Sequence, residues 1–145
     1  MNDLLQSVLD ATRRPFVREG ERLVLRADAG VVSVRVVAEA EPESVLFRCP
    51  LVHYRKAGEP SVEALRHFAR AVSSRVPLVR AMVHDSGLDL VGEIAAGAIQ
   101  PDAVEKVLSA LEVAARLSKR ECRALLDPLT ARHYLQFHGA KEKLE

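Results

Sequence analysis

The sequence predicts an α+β fold. Its elements run α-β-β-β-α-β-β-α-α, with a mainly antiparallel five-stranded sheet and helices on one face. Three observations carry this. Several segments alternate apolar and polar residues at a period of two, as in Val31 to Glu39. Short turn-forming stretches join them, which makes neighbouring strands antiparallel. Segments with apolar stripes at helical spacing lie before, between and after them.

Leu4, Leu5, Val8, Leu9 and Thr12 make one stripe of a short first helix, with Asn2 as its N-cap and Arg13-Arg14-Pro15 as its end. Phe16 and Val17 open a β region that Glu19-Gly20-Glu21 breaks. Arg22 to Ala27 is a strand, Asp28-Ala29-Gly30 a turn, and Val31 to Glu39 the return strand. In the return, Val32, Val34, Val36 and Ala38 share one face, and Val31, Val37 and Glu39 the other. Ser44 to Val52 is a third strand, and Pro50, which has no N–H to donate, marks an edge, a bulge or a strand end.

A helix follows from Ser61 to about Arg75, with Val62, Leu65, Phe68, Ala69 and Val72 on its stripe and Pro77 as its stop. The central stretch, VRAMVHDSGLDLVGEIAAG (79–97), reads as a hairpin turning at Asp85-Ser86-Gly87, where Gly87 can take φ > 0. Leu88, Leu90, Gly92 and Ile94 point one way; Asp89, Val91, Glu93 and Ala95 point the other. Pro101 opens a helix to Leu117. Ser118-Lys119-Arg120-Glu121 fits a capping box, so a last helix is expected to restart there and to kink or end at Pro128.

At 145 residues the chain is read as one domain, with Leu144-Glu145 set aside as a tag remnant. Its 21 basic and 20 acidic residues give a net charge of +1, which disfavours a dedicated nucleic-acid binder. Only four Phe, two Tyr and no Trp are present, too few for base-stacking platforms. Cys49 and Cys122 stand outside any CxxC spacing, so they are expected as free thiols in a cytoplasmic protein. No apolar run is long enough to span a membrane.

No residue constellation demands a chemistry. His133 and His138 are five apart, on different faces of a straight helix, and no metal site or cofactor is expected from His53, His67 and His84 either. Cys49 and Cys122 sit on apolar stripes, where a thiol acts as a small hydrophobe. Asp85, Asp89 and Glu93 read as turn and solvated strand-face residues, not paired acid–base groups. Arg13, Arg14 and Arg18, and Arg66, Arg70 and Arg75, form two small basic clusters.

The run from Val62 to Leu117 resembles the YbjN-like proteins, whose fold is similar to that of the type III secretion chaperones. The resemblance rests on the helix EALRHFARAVSSRVPL, the hairpin VRAMVHDSGLDLVGEIAAGAIQ and the helix PDAVEKVLSALEVAARL, most closely on GEIAAGAIQPDAVEKVL. It implies a non-enzymatic, dimer-forming, protein-binding fold with no catalytic residues to carry over.

If helices cover one face of the sheet, Val31, Val37, Leu46, Val52, Met82 and Val91 are expected on the other, as a surface for a partner protein or a second copy. A partner segment can also add to a sheet edge. The helix bearing Leu4, Leu5, Val8 and Leu9 can meet a partner chain or be exchanged between protomers. The expectation is therefore a cytoplasmic homodimeric protein-binding module. The alternatives are a small enzyme using a Cys/His pair and a nucleic-acid-associated factor working through the arginine clusters.

Overall fold

The computed structural model describes residues 3–20, 22–29 and 32–144, with side chains at 3–20, 22–25 and 35–138. Among them the order is α1 (Asp3–Ala11), β1 (Phe16–Glu19), β2 (Arg22–Ala29), β3 (Val32–Ala40), β4 (Ser44–His53), α2 (Glu59–Arg75), β5 (Arg80–His84), β6 (Gly87–Ala95), α3 (Pro101–Ala124) and α4 (Pro128–Leu144). The sheet order is β1-β2-β3-β4-β6-β5, and every pairing is antiparallel. The α+β class is as expected, but the sheet has six strands and not five. The extra one is Phe16–Glu19, which pairs with Arg22–Leu25 in its own right.

The core lies on one side of the sheet. Leu5 and Val8 of α1, Leu65 and Phe68 of α2, and Leu108 and Leu111 of α3 pack over Leu23, Leu25, Val36, Phe47 and Leu90. α4 adds Ala131 to the same layer. Arg14, in the link after α1, forms ion pairs with Glu105 at 2.6 Å and with Glu112, both on α3. That guanidinium also holds the Glu105 carboxyl below its usual range, mainly by hydrogen bonding. α1 is thus locked onto its own domain, and Arg14 is committed to carboxylates.

The helix boundaries differ from the sequence reading in three places, each for a local reason. α2 starts at Glu59, with Pro60 in its first turn, and Ser61 donates instead to the Leu126 carbonyl at 3.2 Å. α3 runs unbroken through Ser118, which is buried in the helix interior, so the capping-box pattern does not start a helix. Pro128 opens α4: the Asp127 carboxylate accepts the Thr130 N–H at 3.0 Å and its hydroxyl at 2.9 Å. That is an N-cap followed by proline in the first turn. The N-cap reading of Asn2 and the turn residue Gly30 lie outside the described residues.

β6 threads between β4 and β5, and two glycines let it. A Cβ on Gly92 would sit 2.6 Å from Val107 Cγ1, so the absence of a side chain lets α3 press onto the sheet. A Cβ on Gly87 would sit 2.2 Å from the Val52 carbonyl oxygen. Gly87 is therefore required for close backbone approach; the positive φ expected of it does not occur, and the hairpin closes through Asp85 and Ser86. Gly87→Ala should destabilise the fold by about 1–3 kcal/mol or more, because the clash is with main chain that cannot rotate away. Gly97→Ala, with nothing within 4 Å of its Cβ, should stay within about 0.5 kcal/mol. Urea unfolding of both variants checks this.

Candidate functional site

The second face of the sheet carries none of the helical core. Strand register aligns one row of side chains across it: Val17, Val24, Val37, Arg48, Val91 and Arg80. Leu46 lies one row away, between Glu39 and Glu93 on the neighbouring strands, and Met82 pairs with Asp89.

This face is a lattice of charge over an apolar floor. Glu19 pairs with Arg35 at 2.8 Å, Arg22 with Glu39 at 3.5 Å, Arg48 with Asp89 at 3.1 Å and Arg80 with Glu93 at 3.7 Å. Val91 is 1% exposed and Val37 8%, yet both lie outside the helix-covered core. Val91 has Arg48 and Arg80 across from it and Asp89 and Glu93 beside it on its own strand face; arginine stems are long enough to lie over such a neighbour. Burying a valine contributes about 1.5–3 kcal/mol. An exposed ion pair contributes about 0–1 kcal/mol. The apolar floor therefore holds the face together, and the charges set its pattern.

The structure distributes the predicted surface residues unevenly. Val37, Leu46, Met82 and Val91 do share the helix-free face. Of these Met82, at 46%, is the open one. Val52 does not join them: the register shifts between Pro50 and Val52, so Val52 pairs with Leu88 and enters the core. The proline that signals a bulge is what turns it inward. Val31 lies outside the described residues. Leu5 and Val8 are buried in their own domain's core, and Leu4 and Leu9 pack against it.

Asp89, expected on a solvated strand face, is instead only 6% exposed. Ser86 donates its backbone N–H to His84 Nδ1 at 3.3 Å, so Nε2 carries the imidazole proton and faces Asp89 Oδ2 at 3.2 Å. The Ser86 hydroxyl shares the same Nδ1 at 3.2 Å. This Ser-His-Asp chain does not activate a nucleophile: the imidazole acceptor is already taken by the turn's own N–H, and the group closes the hairpin. Arg48 and His84 are the members of this face that the sequence reading did not place on it, and Asp89, which it did place there, is buried and not solvated. Period-two alternation places them here, but only the strand order brings Arg48 beside Asp89.

The other candidates are dispersed. Arg66 and Arg70 line a groove with Ala81 and Val83 between α2 and β5. Cys49 and Cys122 are buried, and burial pushes their thiols up to about 11 and about 12. A nucleophilic cysteine needs the opposite shift.

No family model and no curated protein matches the chain. Among solved structures, YbjN from E. coli matches with a TM-score of 0.57, at 15% identity, over 81% of this chain and 90% of that one. The ExoU–SpcU complex of the type III secretion system of Pseudomonas aeruginosa matches with a TM-score of 0.48, at 20% identity, over 72% of this chain and 84% of that one. The first likeness defines the class: the chain has a YbjN-like fold.

The two thiols make stability depend on alkaline pH. An unfolded thiol ionises near its ordinary value of 9.0, while the native ones stay protonated to about 11 and about 12. Above pH 9 the unfolded state therefore binds fewer protons, and stability falls as pH rises. Chemical denaturation between pH 8 and pH 10.5 should show this decline, and it should be smaller in a Cys49→Ala, Cys122→Ala variant after each is referred to its own pH 8 value.

Proposed function

We propose that this chain is a non-enzymatic protein-binding module that works as a homodimer and holds a segment of a partner protein through its helix-free sheet face or its sheet edge. One observation carries the reading. All four α-helices lie on one side of a six-stranded sheet, which leaves a broad face where, among the described residues, paired charges surround an apolar floor.

Such a face suits a protein partner better than a small molecule, because it is broad and spans the whole strand order. Its charges are arranged to select a partner of matching pattern, which governs specificity and encounter rate more than raw affinity. The two edges differ. On β5, the Ser73 hydroxyl already accepts the Ala81 N–H at 2.9 Å. β1 is exposed along its whole length and offers the freer edge. The ion pairs of Arg14 and the near-neutral charge give no comparable support to a nucleic-acid reading.

Light scattering should give twice the 16.0 kDa chain mass for the wild type. Val17 and Met82, 63% and 46% exposed, can be changed without opening the core. A Val17→Glu, Met82→Glu variant should keep its circular dichroism and weaken dimerisation at least about tenfold, or about 1.4 kcal/mol. A wild type that is a monomer at all concentrations and retains no protein in a pull-down that the variant loses would sink the proposal.

A further inference from the structure

α2 and the edge strand β5 form a groove of about 610 Å³. Its floor is apolar: Ala69 is buried, and Ala81 and Val83 are half-buried. Arg66 and Arg70, both exposed, line it one helical turn apart. No carboxylate lines the groove, and among the described residues neither guanidinium has an ion pair. Arg14, Arg22, Arg35, Arg48 and Arg80, in contrast, each meet an acid of their own domain.

We propose that this groove holds an extended acidic segment of another protein, with two carboxylates two residues apart set against Arg66 and Arg70. The proposal rests on the reading of the chain as a segment-binding module and gives that segment a chemistry. Charge is the first ground: guanidinium forks are matched to carboxylates, and these two have none of their own. Spacing is the second. Four residues of helix advance about 6 Å, and alternate side chains of an extended chain repeat at about 6.6–6.8 Å. The serines are the third. Ser73 donates its hydroxyl to the Ala69 carbonyl at 2.8 Å and accepts the Ala81 N–H at 2.9 Å. Ser74 donates to the Ala71 carbonyl at 2.9 Å. Both hydroxyl protons are committed, so the groove lacks the ring of donors that would enclose a lone phosphate. It offers an apolar strip with two cations beside it, on which a peptide can lie.

The test is an NMR titration of the isotope-labelled full chain with a synthetic peptide that carries two glutamates two residues apart, and with its glutamine counterpart. The glutamate peptide should shift the amide signals of Ala69, Ala81 and Val83, and the glutamine peptide should bind about tenfold more weakly. Arg66→Gln and Arg70→Gln should each weaken binding about threefold, and together about tenfold. Arg116→Gln, at an exposed position of α3 outside the groove, should leave it unchanged. Added salt should weaken binding to the wild type. Equal affinity for the two peptides, affinity retained in the double variant, or the largest shifts outside α2 and β5 overturns the proposal. Inorganic phosphate that shifts the same amides at a lower concentration than the peptide also overturns it, because the groove is then a small-anion site. If a variant does not fold, the two peptides on the wild type still decide. A wild type that is dimeric by light scattering and binds neither peptide overturns the groove alone and leaves the helix-free face standing.

Discussion

The structure depends on the pairing of β4 with β6. These strands are separated in sequence by α2 and β5, so their ladder joins the N-terminal meander to the central hairpin and makes one sheet of two pieces. The ladder tolerates little change. Gly87 sits against the Val52 carbonyl where the register shifts, and Gly92 sits beneath Val107 of α3. On the core side the same ladder aligns Val45 with Ile94 and Cys49 with Leu90. On the other side it sets Arg48 beside Val91 and Asp89. One pairing thus builds both the core and the candidate binding face.

That double role explains the character of the face. A sheet covered on one side must still bury the valines that alternate to the other. Here Val37 and Val91 are buried although they lie outside the helix-covered core, in a row with Arg48 and Arg80. The result is a charged lattice in which Val17 and Met82 are the exposed apolar positions. The helical side exposes apolar residues too, notably Leu117 and Phe137, but on separate helices and outside the row that register organises.

Much of this is legible in the sequence. The valine alternation from Val31 to Glu39 and the hairpin around Asp85 predict strands, and the apolar stripes predict helices. What is not legible has physical causes. A four-residue strand such as Phe16–Glu19 is too short for periodicity to stand out. Pro50 announces an irregularity, but its effect on Val52 depends on what Leu88 pairs with. The capping-box pattern at Ser118 is local, and burial in a continuous helix overrides it. The meeting of His67 with His138 is tertiary, since no spacing along one helix contains it.

Binding of another chain at the helix-free face is tested most directly by photo-crosslinking. A crosslinking amino acid in place of Met82 would be compared with the same residue in place of Leu117 on the helical side. Crosslinking at position 82, to a second copy or to a partner protein, with little at position 117, is the predicted result. Efficient crosslinking at position 117 with none at position 82 would contradict it and move the binding surface to the helices.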